Sequence, residues 1–329
     1  MAAYCCAHLL NNAGFRVAME RPERPRVPAI MLSDSALALI RDVFGRPSLF
    51  AELPRIERRV VMWGKAAWGR AADPVSVAHS AIVVSERYLL ESLAPGFETD
   101  AAISPGFTIY TSRPLPAAAT EQRFGSRHAA AAQVALRDQA DLSSCWIESL
   151  EDGWLFLIPN AAESTWLLAV GAPLESLLES SRIIAGRVNL LSGRSGEFAT
   201  CPRILSPPVG DGWLACGTVA MAFDPICGDG TAHAIREAIL GAAVIRSVDN
   251  GGDTASLLAH YESRMTAAFG KHLEMCTDFY QSGGNGAWWR GETAALRRGI
   301  AWCDAKLGPN PAFEYRLQGF ELHRQNAAK

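Results

Sequence analysis

With 329 residues, 49% of them hydrophobic and 20% charged, the chain can bury a large core, which excludes intrinsically disordered, collagen-like and disulfide-scaffold classes. A net charge of −3, from 31 basic and 34 acidic residues without a block of one sign, argues against nucleic acid or a polybasic membrane contact. Eight cysteines with no C-x-x-C, no apolar run long enough to span a bilayer, and a start unlike a signal peptide point to a reducing cytoplasm and no membrane partner.

Residues 1–14 read as a helix whose first turns are missing, because Ala3, Ala7, Leu10 and Gly14 fall at helical spacing directly from Met1. Phe15–Glu20 reads as a short strand ending in an acid, followed by a Pro/Arg-rich loop from Arg21 to Pro28; Ser33 or Asp34 then caps a helix through Phe44. The middle third reads as sheet, with candidate strands at Arg59–Trp63, Ser80–Val84, Ala129–Leu136, Trp146–Leu150, Trp154–Pro159 and Thr165–Val170, whose close spacing favours antiparallel pairing. Helix is expected at Leu174–Leu191, strand at Gly212–Cys216 and a long helix at Gly230–Val248. From Thr254 to the end the pattern is mostly helical, broken at Ser282–Gly286 and Gly308–Pro311. The sequence contains no internal repeat.

Two pieces carry chemistry. Dinucleotide sites of the Rossmann type use G-x-G-x-x-(G/A), then a helix with A-x-x-L-x-x-x-G, then a strand ending in an acid that bonds the ribose. Ala7, Leu10 and Gly14 match that helix, Ala3 stands at the third glycine or alanine, and Glu20 at the ribose acid, one residue earlier than is commonest. On this reading the first strand and first two glycines lie upstream of Met1, and the 329-residue form is expected to purify colourless or to aggregate. An ordinary amphipathic helix followed by a strand accounts for the same residues equally well.

The second piece, Gly212 to Gly230, is more specific: an apolar strand runs into Gly217-Thr218, then Asp224-Pro225, then Gly228-Asp229-Gly230 opening a helix. Glycines there let backbone approach a planar ligand, and a helix N-terminus favours an anion. At these residues the sequence resembles the FAD-dependent monooxygenase superfamily, in its tryptophan-halogenase-like branch, which includes flavoproteins that hydroxylate a peptidyl tryptophan during quinone-cofactor maturation. The family block G-D-A-A-x-x-x-D-P-x-x-x-x-G is similar to Gly217–Gly230. The resemblance implies that FAD is the cofactor, with Pro225 and Gly228–Gly230 beside an isoalloxazine ring on which a C4a-(hydro)peroxyflavin forms. It also implies that Thr218 replaces the aspartate that usually bonds the ribityl chain.

A further likeness is Gly153–Pro159. Flavin-dependent halogenases carry W-x-W-x-I-P at this kind of place, but Phe156 stands where the second tryptophan belongs, which favours oxygenation over halogenation. A core strand with Trp154 and Phe156 on one face explains the same residues. Halogenation also needs a lysine, and Lys65, the only lysine before Lys271, is the candidate, although a solvated loop lysine is the plainer reading. His233, one turn into the helix after Gly230, can face flavin or substrate, or simply the helix surface. Trp288 and Trp289 cover an aromatic substrate or seal the core. His272 and Cys276 are four apart on a helix, with His260 and Glu262 nearby, but two ligands do not make a metal site, so no metal is expected.

The expected fold is α/β. A Rossmann-like FAD-binding domain (1–45 and 195–253) carries an inserted antiparallel substrate sheet (46–194) and is followed by a C-terminal helical region (254–329). The expected activity is flavin-dependent hydroxylation of an electron-rich aromatic, either a small molecule or a side chain in a peptide or protein, with a separate reductase supplying the electrons. The alternatives are a flavin-dependent halogenase and a non-catalytic flavoprotein remnant.

Overall fold

A computed structural model describes residues 1–20, 24–64, 72–94, 106–160, 165–309 and 313–325. Helix α1 (Ala2–Asn12) is followed by strand β1 (Ile30–Ser33) and helix α2 (Asp34–Phe44). The Ser33 side chain accepts the Ala36 amide, and Gly45 ends α2 at φ 61°, so cap and stop lie where side-chain chemistry puts them. Next come β2 (Arg55–Met62), β3 (Val75–Val84) and α3 (Glu86–Ser92), then the short strands β4 (Thr108–Tyr110) and β5 (Thr120–Arg123). The middle of the chain supplies β6 (His128–Leu136), β7 (Ser144–Leu150), β8 (Gly153–Ile158), β9 (Thr165–Gly171), helix α4 (Leu174–Ser180) and β10 (Val188–Ala199).

These strands build an eight-stranded sheet in the order β1-β3-β2-β7-β8-β9-β6-β10, antiparallel throughout except for β2 beside β7. Its two faces follow the period of two in the sequence. Trp154 and Phe156 point into the main core with Cys145, Ile147 and Val170, while Leu155 and Leu157 pack with Trp146, Leu167, Leu174 and Leu177 beneath α4. The tryptophan and phenylalanine of Gly153–Pro159 are therefore core residues.

The helix expected at Leu174–Leu191 stops at Ser180, and the chain turns into β10. The reason is a buried carboxylate. Glu148 on β7 accepts the amides of Arg182 (2.6 Å), Ile183 and Ile184 (3.3 Å each) and the Ser181 hydroxyl (2.6 Å), while the Ser181 oxygen accepts the Ile184 and Ala185 amides. Those amides are claimed by side chains and are lost to a continuing helix.

Beyond β10 lie β11 (Arg203–Ser206), β12 (Val209–Gly210), β13 (Trp213–Ala215) and β14 (Met221–Ala222), followed by three long helices, α5 (Gly230–Asp249), α6 (Thr254–Gly283) and α7 (Ala287–Leu307). The chain then forms a hairpin, β15 (Tyr315–Gln318) with β16 (Glu321–Arg324), where helix was expected; Gly319 makes the turn at φ 58°, and Arg246 of α5 ties it down through Glu321 (2.8 Å) and the Phe320 carbonyl. No helix among the described residues is long and apolar enough to cross a membrane.

β13 runs parallel to β4, and the ladder extends through Thr108 N to Gly212 O and Cys216 N to Tyr110 O, both 2.8 Å. Phe15–Glu20, expected as a short strand, is irregular in the structure. Tyr261 of α6 donates to the Ala215 carbonyl at 2.8 Å, fixing the end of β13 against the helices.

Glu237 of α5 is buried and accepts the Gly217 amide at 2.7 Å, while its second oxygen has no hydrogen-bond partner. Burial pushes its pKa up to about 8 from 4.5, with the Gly217 bond opposing. The folded chain thus holds a proton there that the unfolded chain releases, so this contribution is complete below the ordinary value of 4.5 and is lost as pH rises through about 8. Glu237→Gln keeps an acceptor for Gly217 and removes the titration. Melting curves at pH 5 and pH 8.5 check this: at the higher pH the variant should melt about 5 °C above the parent, and at pH 5 the two should nearly coincide. An equal alkaline decline in both proteins would contradict it.

Candidate functional site

The site is built on the segment that leaves β13. After Cys216 the chain makes a tight turn at Gly217–Val219, passes through β14 and Phe223 to Asp224, turns again at Pro225–Cys227, and enters α5 by way of Gly228 and Asp229. Gly217 has φ 72°, and a Cβ there would lie 2.7 Å from the Ala2 methyl, so the turn requires glycine and touches the start of α1. Gly217 and Thr218 thereby lie against the start of α1 at Ala2, the neighbour of Ala3, with Thr218 exposed and Gly217 buried. Glu20 is exposed in the irregular stretch after α1, and Lys65 lies outside the described residues.

Asp224 is the pivot of the loop. Its Oδ1 accepts the Ile226 amide at 2.9 Å, its own amide donates to Nε2 of His272 at 2.9 Å, and its Oδ2 pairs with Nε of Arg127 at 2.9 Å and accepts the Tyr280 hydroxyl at 2.9 Å. Arg127 and Asp224 side chains are both 0% exposed. The guanidinium also bonds Glu292 of α7 at 2.5 Å and lies 4.5 Å over the Tyr280 ring, while Tyr280 accepts the Trp154 indole N–H at 3.2 Å. Glu292 is further satisfied by the Ser126 amide (3.0 Å) and hydroxyl (2.8 Å).

Burial raises the Asp224 pKa, against the opposing pull of Arg127 and the Ile226 and Tyr280 hydrogen bonds. Arg127 is held above its ordinary value: burial works against its charge, but Tyr280, Asp224 and Glu292 outweigh it. Burial pushes His272 down to about 3, so its ring is neutral and can accept the Asp224 amide. The Asp224 carboxylate is thus spent on holding the loop.

Past Asp224 the backbone opens. Gly228 adopts φ 64°, where a Cβ would meet only Met31 at 3.7 Å and Arg59 at 3.9 Å; a Cβ on Gly230 would meet nothing within 4 Å. Asp229 precedes α5 without capping it, its carboxylate turned instead to Arg236 at 2.9 Å and toward His233 at 3.7 Å. Gly228 thus lies beside the Arg59 cation and Gly230 leaves the first turn of α5 uncovered; helix N-terminal amides and a cation suit the edge of a flat, electron-rich, anionic ring. Pro225, Gly228, Asp229 and Gly230 could hold such a ring, with Ala3, Gly217 and Thr218 toward its tail.

His233 is half-buried and stacked on Phe223, with ring centroids 4.1 Å apart, and burial lowers its pKa. Trp289 is buried and donates to the Leu150 carbonyl at 2.9 Å, with Trp288 edge-on to it at 4.8 Å; this pair seals the core. Arg127, Tyr280, Glu292 and Arg59 carry no sequence motif and emerge only from the fold. Cys227, in the turn after Pro225, joins His272 and Cys276, supplying the third member that spacing along α6 alone did not reveal.

No protein-family model matches the sequence, and no curated protein matches it. Solved structures do. The flavin-dependent halogenase CmlS superposes over 92% of this chain and 68% of its own, at 16% identity and a TM-score of 0.72. The peptidyl tryptophan dihydroxylase QhpG, essential for tryptophylquinone cofactor biogenesis, matches over 99% and 84% at 14% identity and TM-score 0.67. The myxobacterial chondrochloren halogenase CndH, a variant of the FAD-dependent halogenases, matches over 95% and 90% at 14% identity and TM-score 0.71. The chain accordingly has the mixed α/β fold shared by FAD-dependent halogenases and the peptidyl tryptophan dihydroxylase, and it includes the helices α5–α7 and small additional sheets.

Proposed function

We propose that the chain is a flavin-dependent monooxygenase that hydroxylates an electron-rich aromatic, either a small molecule or a side chain in a peptide or protein, with FAD as cofactor and a separate reductase as electron donor. The observation that carries this reading is the open glycine face at Gly228 and Gly230, set at the N-terminus of α5 behind a loop that Asp224 and Arg127 hold rigid. When bound and reduced, FAD would activate dioxygen, which is the source of the inserted oxygen atom. The protein's own residues do the rest: Gly228 and Gly230 leave room for the ring, the α5 amides and Arg59 stabilise negative charge beside it, and Pro225 stiffens the approach. The domain division at 1–45 with 195–253, 46–194 and 254–329 belongs to this same reading.

Hydroxylation is preferred to halogenation because Phe156 occupies the second tryptophan position of the halogenase element, and both Trp154 and Phe156 are buried in the core. Halogenation remains the second reading on the strength of the likeness to CmlS.

Two measurements test the proposal. Gly230→Val puts a branched side chain into space that is empty in the structure, so FAD affinity, followed by flavin fluorescence, should fall at least about tenfold while the melting temperature of the protein alone is unchanged. Equal affinity in both proteins would remove the loop from the cofactor site. With reduced FAD, oxygen and tryptophan- or tyrosine-containing peptides, the product should gain about 16 mass units, with or without chloride, because hydroxylation inserts oxygen. A chlorine isotope pattern that appears only with chloride would replace the hydroxylase reading with the halogenase one.

A further inference from the structure

The cluster of Cys227, His272 and Cys276 lies directly behind the Pro225–Gly228 loop. The two sulfurs, 49 positions apart in sequence, are 3.6 Å from each other, in contact but unbonded, and Cys276 also lies 3.3 Å from Nε2 of His272. Cys227 is half-buried, whereas Cys276 is enclosed. Three such ligand atoms within 4.8 Å of one another also have the composition of a soft-metal site. The imidazole decides between the two chemistries. Its Nε2, the nitrogen nearer to Cys276, already accepts the Asp224 amide at 2.9 Å, so that nitrogen can take a metal only by breaking the bond that positions the loop. Moving the ring proton to Nε2 to free Nδ1 for a metal breaks it as well. Joining the two sulfurs leaves it intact.

From this geometry we infer that Cys227 and Cys276 form a peroxide-sensitive dithiol, a modification site that closes reversibly into a disulfide and staples the Pro225–Gly228 loop to α6. The step balances with hydrogen peroxide as oxidant. The Cys227 thiolate attacks one peroxide oxygen, the O–O bond breaks, and hydroxide leaves and takes up a proton as water. The resulting sulfenic acid is attacked by the Cys276 sulfur, the S–O bond breaks, and the second hydroxide leaves with the Cys276 proton as water. Each sulfur is oxidised by one electron and the two peroxide oxygens are reduced. Burial pushes the Cys276 thiol up, which agrees with its role as the second, resolving partner. The contraction needed is small, since a disulfide bond is about 2 Å long and the sulfurs already touch.

The test uses the full chain without substitution. After treatment with one equivalent of hydrogen peroxide, intact mass should fall by about 2 units, and a non-reducing tryptic map should join Ile204–Arg236 to His272–Arg290. Cys216 shares the first peptide, so fragment ions must place the bond on Cys227. Dithiothreitol should restore the starting mass, and the oxidised protein should melt several degrees higher than the reduced one. Cys227→Ser and Cys276→Ser should each abolish the cross-link. Addition of oxygen to Cys227 without cross-linking, a disulfide between other cysteines, or stoichiometric zinc retained by Cys227 and Cys276 would each overturn the inference.

Discussion

A single guanidinium is shared by two carboxylates in the dry interior. Arg127 stands immediately before β6, and its charge is held between Asp224 of the loop and Glu292 of α7, with the Tyr280 ring of α6 beneath it and Trp154 of β8 bonded to that tyrosine. The large sheet, the loop, α6 and α7 each reach this point. Removing water from such charges costs several kcal/mol per ion, which is offset only when every lone pair and proton is matched. Here Ser126 and the Ile226 amide add hydrogen bonds to the two carboxylates, while the buried Nε of Arg127 faces Asp224 as an ion pair without a hydrogen bond of its own. Gly125, at φ 121°, is required as well, since a Cβ there would fall 2.3 Å from a Glu292 oxygen. The network fixes where the loop lies, and the loop determines which glycines face open space.

Much of the architecture is legible in the sequence because local chemistry and burial agree. The alternation in Gly153–Ile158 separates Trp154 and Phe156 from Leu155 and Leu157 onto opposite faces as period two demands. The cap at Ser33, the glycine stop at Gly45 and the run from Gly230 to Asp249 are equally local. The failures share a cause. Leu174–Leu191 has helical spacing, but Glu148, from a strand distant in sequence, takes the amides the second half of that helix would need. The stretch Phe15–Glu20 has strand composition but stays irregular in the folded chain. The hairpin at Tyr315–Arg324 is held by Arg246 of α5, a contact that no local pattern encodes.

The site divides in the same way. Gly217, Asp224, Pro225, Gly228 and Gly230 are visible in sequence because backbone freedom has a residue signature. Arg127, Tyr280, Glu292 and Arg59 are invisible there, since an arginine in or beside a strand and a glutamate on a helix are ordinary until the fold brings them together. Asp224 shows what each view contributes: the sequence places it in the Asp-Pro block similar to the family's, and the structure turns its carboxylate inward, where it positions the loop that carries the open glycines.

Amide hydrogen exchange can establish whether Arg127 holds this loop. Arg127→Met leaves two carboxylates buried without their cation, and Tyr280→Phe, a milder change, removes one hydrogen bond to Asp224. With exchange at Leu273 of α6 as the reference for global opening, the account predicts that protection at Ile226 and Gly228 falls about 100-fold or more in Arg127→Met and by a smaller factor in Tyr280→Phe. Protection lost at Ile226 and Gly228 only in proportion to that at Leu273, in both variants, would show that the network supports the whole fold without specifically holding the loop.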